Sequence, residues 1–583
     1  MKNNDYSIKA CSSIVRKDGL KMRFVKEYTF KDFVTGIAAR YRDLDCMSVF
    51  KNENSLISYK KFAFKIHSIS QYLVNLGLKK GDRVIIFGDS SPQWIQFYLG
   101  LTSIGCIAVP IMPTFSAAES RYVIDNSEAI GVFAQKNQFK LIRDYALEKN
   151  LHIFRGEDLF HVPNELITPD VKFEDVPGRD ITHTKFFLNA LNDIDVQEDD
   201  IASILYTSGT TGAAKGVVLT HKNILRNAEK STTEFVKLNP GERALSILPM
   251  SHIYEFSIGQ ILMLFSGIHI TFLGKPPTVT VLLPALKTVQ PHFVLSVPLL
   301  IEKVYKGAVL PVIGENGKLG KYYKNPLLKP IIAKIIGNKL KQTFGGKLKF
   351  FGLGGAPLDK EIEKFLYLSG FPYAQGYGLT ETSPLLAGCG PRKKDHKLGC
   401  IGKVFPDIDM KIIDKDEKGV GEVVVKGPSV MSGYYKNDEV NKESFTPDGY
   451  FKTGDLGILK NNILSLCGRS KSVIIGPSGE NIYPESLESI INNMDFVEES
   501  LVVPEGNTLL ALIKIDIEQM SDKLKISIEE AKTEAKSYIE KIRNNVNSQV
   551  TSNNKLSTAE LRDEPFERTS SQKIKRFLYN KDK

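Results

Sequence analysis

A chain of 583 residues exceeds the size at which one hydrophobic core usually stops growing, so two or more domains are expected and a single small binding module is excluded. With 42% hydrophobic and 25% charged residues, 45 glycines and 27 prolines, the composition is globular, neither disordered nor collagen-like. The net charge of +10 is concentrated between Lys303 and Lys349, where eleven lysines face one acidic residue, Glu315. The pattern of arginines and aromatics expected of a nucleic-acid face is absent, so no nucleic-acid partner is expected.

The start, MKNNDYSIKACSSIVRKDG, lacks the apolar core of a signal peptide. The longest apolar candidate, Ile258 to Leu273, is interrupted by Gln260, Ser266, His269 and Thr271, so no membrane span is expected. Six cysteines (Cys11, Cys46, Cys106, Cys389, Cys400, Cys467) are scattered without a CxxC pair, which fits a reducing, cytoplasmic compartment better than a disulfide framework or a zinc ribbon.

From Arg83 the pattern predicts a strand at Val84 to Phe87, a helix at Trp94 to Leu101, a strand at Ile107 to Val109, a helix at Ala117 to Ile124 and a strand at Gly131 to Phe133. The polar segment from about Val162 to Asp195 shows no period and is expected to be a surface excursion. Apolar runs resume at Ala202 to Tyr206, Ala244 to Leu248, Ile268 to Phe272, Phe293 to Val297 and Leu348 to Leu353, so the core is expected to be α/β with parallel-rich sheets. Short alternating strands after Gly399 predict a β-rich subdomain at about 399–468. Two strands, at Ser500 to Val503 and Leu509 to Ile515, and a charged helix from Ile528 to Asn547 predict a small α+β domain. The expected division is 1–468 for the large N-terminal domain and 469–583 for the C-terminal domain.

Tyr206-Thr-Ser-Gly-Thr-Thr-Gly-Ala-Ala-Lys-Gly216 lies between two apolar strands. Gly209 and Gly212 allow close backbone approach, the hydroxyls of Thr207, Ser208, Thr210 and Thr211 can donate to phosphate oxygens, and Lys215 adds a point charge. A Walker A loop would need Gly and Ser/Thr flanking the lysine and a helix after it, but Ala214 and Gly216 flank it here and a strand follows. A phosphate cradle of another kind is indicated.

On this string the chain resembles the adenylate-forming, AMP-binding superfamily of acyl-CoA synthetases, peptide-synthetase adenylation domains and luciferases. It departs from the family string at Ala214, where proline is usual. The resemblance implies a large domain of layered sheets with a small mobile C-terminal domain, and ATP, Mg²⁺ and coenzyme A as the small molecules used. Gly354-Gly355-Ala356 offers flat backbone for a purine, and Gln375-Gly376-Tyr377-Gly378-Leu-Thr380-Glu381 adds an aromatic, a hydroxyl and a carboxylate. By resemblance Tyr377 stacks on adenine, Thr380 contacts the α-phosphate, and Glu381, with Thr211 of the loop, lies at the magnesium carried by ATP. Asp455 and Arg469 match the ribose-binding pair, and Lys471 matches the hinge about which the small domain rotates. Ser472 stands where many relatives have Asp. Lys573, in Pro565-Phe-Glu-Arg-Thr-Ser-Ser-Gln-Lys-Ile-Lys-Arg576, matches the adenylation lysine, with Gln572 in place of the usual Gly. His252, in Leu248-Pro-Met-Ser-His-Ile-Tyr254, matches the residue between the carboxylate and phosphate sites.

Phe256 to Phe265, Val294 to Leu300 and Val304 to Leu348 resemble bacterial long-chain fatty acid CoA ligases, which implies a fatty acid as the acid substrate. Two rival readings stand beside transfer to free coenzyme A: transfer to the phosphopantetheine of a carrier protein, and a non-catalytic nucleotide or acyl-AMP sensor. No HExxH or GxSxG motif is present. Leu327, Leu328, Ile331, Ile332, Ile335, Ile336 and Leu340 recur at helical spacing among Lys329, Lys334, Lys339 and Lys341. The segment 327–344 therefore predicts a basic amphipathic helix, either packed on the main domain or in peripheral contact with an anionic membrane at the inner face.

Overall fold

The structure, a computed structural model, describes residues 25–182, 194–207, 214–314, 317–475, 481–506, 508–551, 554–569 and 574–580. The chain divides into two compact units. The larger draws on Met1–Thr207, Ala213–Asp409 and Lys426–Glu443, and the smaller on Met410–Val425 and Ser444–Lys583.

Apolar runs too short for helices become strands buried on both faces, and two sheets form in the larger unit. One runs in the order Gly402–Val404, Leu385–Gly388, Tyr373–Gly378, Phe350–Leu353, Phe293–Ser296, Arg243–Ser246, His269–Phe272, Asp45–Val49, Asn52–Ser58. Its six central strands are parallel, and the pairings at both ends are antiparallel. The other runs Gly433–Tyr434, Lys215–Thr220, Ile201–Thr207, Ile107–Ile111, Arg83–Phe87, Gly131–Ala134, His152–Arg155, Phe160–Val162, Arg179–Asp180. Parallel pairings link Ile201–Thr207 through to His152–Arg155.

Helices seal the sheets with sequence-encoded starts. Ser91 caps Pro92–Thr102 through the Trp94 amide, with Pro92 in its first turn, and Ser116 and Glu119 form a reciprocal capping box on Ala117–Ser127. Trp94 stacks on Tyr98 at 5.6 Å, and Tyr98 meets Phe256 at 4.3 Å.

The segment from Val162 to Asp180 differs from the expected surface excursion. Ile167, Phe173 and Val176 are buried in the core of the second sheet. The Arg155 guanidinium makes this possible: its Nη1 donates to the carbonyls of Phe173 (2.9 Å), Glu174 (3.1 Å) and Val176 (2.7 Å), so the irregular backbone is satisfied without a ladder.

In the smaller unit, Val497–Glu505 pairs antiparallel with Thr508–Ile515, which pairs parallel with Thr558–Arg562. Ile528–Gln549 lays Ala531, Ala535, Ile539, Ile542 and Val546 into the same core as Leu487 and Ile491 of Pro484–Asn492. This unit also holds the hairpin Phe451–Lys460 and Ile463–Arg469.

Candidate functional site

In the larger unit, Ile201–Thr207 and Lys215–Thr220 form an antiparallel hairpin in which Thr207 pairs with Lys215. Ser208, Gly209, Thr210, Thr211 and Gly212 lie outside the described residues. Beside Lys215–Thr220 the chain returns at Gly433–Tyr434, where Val217 pairs with Tyr434 and the Tyr435 amide donates to the Gly216 carbonyl at 2.7 Å. This return places one aromatic between two expected site residues. The Tyr434 hydroxyl donates to Glu381 Oε1 at 2.8 Å, while Lys215 Nζ lies 5.4 Å from the centre of its ring. The Met431 amide holds the Glu381 carbonyl at 2.8 Å. Burial and the neighbouring carboxylate push the Tyr434 phenol well up, so it remains a donor across the physiological range. Tyr434 was missed by sequence reasoning. Its signal was weak, because Gly-Tyr-Tyr reads as an edge strand and only its pairing with the hairpin gives it a role.

Thr380 and Glu381 sit on the one-turn 3-10 helix Thr380–Thr382. That turn is fixed by the Thr382 hydroxyl, which accepts from the Leu379 amide (2.9 Å) and donates to the Pro384 carbonyl (2.6 Å). Asn227, on the helix His221–Glu234, closes a two-way bond with the Leu385 backbone, donating at 2.7 Å and accepting at 3.2 Å. Glu381 Oε2 has no partner among the described residues and its side chain is part-exposed, so the carboxylate fits a hard cation that prefers oxygen.

Gly354 and Gly355 follow the strand Phe350–Leu353 and behave differently. A Cβ on Gly354 would stand 3.1 Å from the Tyr254 ring, so this glycine makes room for a tyrosine of the 248–254 motif. Gly355 has φ +83° and nothing nearer than Val297 at 4.0 Å, leaving its face and the adjoining Ala356 open. Tyr377 is buried. Gln375 is turned toward protein: its Nε2 donates to the buried Glu363 carboxylate at 3.0 Å, whose other oxygen accepts from the Gly399 amide at 3.0 Å. His252 Nδ1 accepts from the Tyr254 amide at 3.3 Å. Past it, the buried π-helix Tyr254–Ile261 borders, with Leu295, Gly352, Gly376 and Gly388, an apolar cavity of about 20 Å³, room for one water.

Glu255, also missed, lies in that π-helix, fully enclosed. Its Oε1 accepts from Ser246 Oγ (2.6 Å) and Gln260 Nε2 (2.9 Å), and burial raises its pKa from 4.5 to about 7. The neutral acid stabilises the fold fully below pH 4.5, and that contribution is lost as pH rises through about 7. Glu255→Gln keeps the acceptor and offers an N–H where the acid carried its proton. It should flatten the fall in stability across that window and, by pH 8, unfold later than the parent by on the order of 3 kcal/mol. Thermal unfolding from pH 4.5 to 8 checks this, and parallel curves would reject a buried neutral acid.

In the smaller unit, Asp455 and Arg469 are cross-strand partners of one hairpin. Arg469 Nε lies 3.0 Å from Asp455 Oδ1, with the aspartate buried and the arginine part-exposed. Asp455 is held by its amide, which donates to Thr453 Oγ1 (3.1 Å), itself a donor to the Val423 carbonyl (2.7 Å). Lys471 follows on the turn Ser470–Ser472. Lys573 lies outside the described residues.

Two α/β sheets of this order, a hairpin joining Thr207 to Lys215, and a carboxylate held by the tyrosine whose ring that lysine approaches match the class expected from the sequence, the adenylate-forming enzymes. The chain belongs to the AMP-binding enzyme family, whose model matches residues 36–435. It is 30% identical over 484 residues to the long-chain-fatty-acid–CoA ligase FadD15 of Mycobacterium bovis, covering 78% of this chain and 76% of that protein. It is 27% identical over 503 residues to the peroxisomal long chain acyl-CoA synthetase 7 of Arabidopsis thaliana, covering 81% of this chain and 70% of that one. Among solved structures, ATP-bound MatB from Rhodopseudomonas palustris shares the fold, with a TM-score of 0.72 at 22% identity over 95% of this chain and 98% of that one.

Proposed function

We propose that this enzyme activates a long-chain fatty acid with ATP and transfers the acyl group to coenzyme A. In the first step a carboxylate oxygen attacks the α-phosphorus and the bond to the β-phosphate oxygen breaks, so acyl-AMP forms and pyrophosphate leaves with the bonding pair. In the second, a thiolate attacks the acyl carbonyl, AMP leaves, and the thiol proton goes to solvent. The observation that carries the reading is the Glu381, Tyr434 and Lys215 cluster at the phosphate hairpin of an AMP-binding chain. The names of the relatives support a fatty acid and coenzyme A as substrates.

Within the reading, the 207–215 loop and Thr380 hold phosphates, Gly354, Gly355, Ala356, Gln375 to Gly378 and Tyr377 frame the adenine, and Asp455 and Arg469 take the ribose hydroxyls. Bound magnesium would neutralise phosphate charge at Glu381. His252 and the apolar cavity beyond it would receive the carboxylate and the acyl chain, the cavity widening to admit it. Lys573 serves the first step, and rotation of 469–583 about Lys471 withdraws it for the second. No helix among the described residues is long and apolar enough to cross a membrane. Among the described residues Cys46, Cys106 and Cys389 are in no disulfide, which supports a reducing, cytoplasmic setting.

Pyrophosphate release over a panel of carboxylic acids, with and without coenzyme A, tests the reading. Release with long-chain acids and thioester only when coenzyme A is added would support it; no release with any acid would overturn it. Glu381→Gln keeps the shape but removes the charge, and should raise the magnesium needed for half-maximal release by about tenfold or more. Tyr434→Phe should raise it less, since it frees the carboxylate without discharging it. An unchanged magnesium midpoint in Glu381→Gln would dismiss this residue as a ligand.

A further inference from the structure

Gln375 is held at its backbone and again at its side chain. Its carbonyl accepts from the Cys389 amide at 3.0 Å, its own amide donates to Cys389 Sγ at 3.3 Å, and its Nε2 donates to Glu363 Oε1 at 3.0 Å. Glu363 is 4% exposed, on the helix Lys360–Ser369, and its Oε2 accepts from the Gly399 amide at 3.0 Å. Burial raises its pKa, and the Gly399 and Gln375 bonds act against the rise. Enclosing an acid costs more than enclosing an apolar side chain of the same size, so packing alone does not account for it.

What an acid supplies and an apolar side chain does not is polarity. A carboxamide can turn over with little change of shape, exchanging its oxygen for its nitrogen. A carboxylate oxygen beside it removes that freedom, because it accepts and does not donate. The Gln375 nitrogen must face Glu363, and its oxygen the other way. That oxygen has no partner among the described residues. Leu353 pairs with Gln375, so Gln375 stands beside the strand that runs into Gly354 and Gly355. Gln375 and Tyr377 lie two apart on the strand Tyr373–Gly378 and share a face of it.

We propose that Glu363 is a positioning residue that sets base choice: by holding the Gln375 carboxamide in one orientation, it presents an acceptor to the edge of the purine. A 6-amino purine donates to that acceptor, whereas a 6-oxo purine sets a second acceptor against it. This deepens the proposed function and rests on its nucleotide site, but not on the acid or the thiol. Binding is therefore read without catalysis. The full chain with magnesium, and no acid, is dialysed to equilibrium against the triphosphates of adenosine, purine riboside and inosine, which carry an amine, a hydrogen and an oxygen at carbon 6.

The parent should bind the three in that order, adenosine triphosphate about 10- to 100-fold tighter than inosine triphosphate. Glu363→Gln lets the two facing carboxamides turn over together, and Glu363→Met fills the space with no acceptor. In each, the adenosine-to-inosine ratio should fall about tenfold. A side chain that only supported the fold would weaken all three ligands alike and leave the ratio where it was. Gln375→Leu should flatten the series by itself, and Glu363→Gln added to it should change the ratio no further. Equal binding of the adenosine and inosine triphosphates by the parent, an unchanged ratio in both Glu363 variants, or a further fall in the double variant would overturn the proposal. The ordered series in a parent that releases no pyrophosphate with any acid would support this base choice and overturn the ligase reading instead. No binding of any of the three would overturn both.

Discussion

Lys573→Ala should lower acyl-AMP formation by about 10²- to 10³-fold, the loss expected on removing one preorganised charge from a transition state, and leave thioester formation from added acyl-AMP near the parent rate. The asymmetry follows from the chemistry. When a carboxylate meets a triphosphate, negative charge accumulates on the phosphorus oxygens and the departing pyrophosphate, and a lysine ammonium there lowers the barrier. Once pyrophosphate has gone, the second step develops its charge on the acyl carbonyl, and the same lysine has nothing to neutralise.

The described residues on either side of this lysine are anchored by contacts of their own. Phe566 is buried against Ile574 and Tyr579, Arg568 and Ile574 form an antiparallel bridge, the Lys575 amide donates to Glu567 at 2.9 Å, and Arg576 pairs with Glu488. Alanine at 573 should therefore leave the smaller unit folded, with its unfolding temperature unchanged. The two half-reactions are measured separately, pyrophosphate release for the first and thioester from synthetic acyl-AMP for the second. Equal losses in both would show that the residue supports the fold and does not serve adenylation.

Much of the α/β core was legible because parallel strands buried on both faces are continuous apolar runs. Val84 to Phe87, Ile107 to Val109 and Gly131 to Phe133 were each expected and each observed. Their distribution between two sheets was not legible, since Ile107–Ile111 and His269–Phe272 look alike as sequence and are sorted only by partners far along the chain. The burial of Phe173 and Val176 escaped for a similar reason: it depends on one arginine taking three carbonyls, and no period records that.

The glycine and hydroxyl loop and the 375–381 motif were readable because phosphate and purine binding demand those residue types locally. Tyr434 and Glu255 were not. One acts only through a strand pairing across more than two hundred residues, and the other is an acid inside an apolar run whose partners, Ser246 and Gln260, come from a strand and a π-helix. In the basic helix the period of 3.6 was plain, but the period does not say which part of a wide stripe the core will cover.

Gly378→Ala should be among the most damaging single changes in the larger unit, costing about 3 kcal/mol or more, while Gly376→Ala, two residues away in the same motif, should be tolerated. A Cβ on Gly378 would fall 1.6 Å from the Pro384 carbonyl oxygen and 2.6 Å from its carbon, and both atoms are backbone. That carbonyl cannot easily withdraw, because it accepts from the Leu379 amide at 3.2 Å and from the Thr382 hydroxyl at 2.6 Å. Moving it would break the turn that presents Thr380 and Glu381, and would disturb Leu385, whose backbone is tied to Asn227. A Cβ on Gly376 would meet only the end of the Leu385 side chain, at 2.7 Å, which can turn aside. Thermal unfolding of the two variants decides between them: Gly378→Ala should melt well below the parent, or fail to fold, and Gly376→Ala should melt within a few degrees of it. Similar midpoints for the two would mean that the strand Tyr373–Gly378 and the turn after it do not pack this closely, and the placement of Glu381 beside Tyr434 would lose its footing.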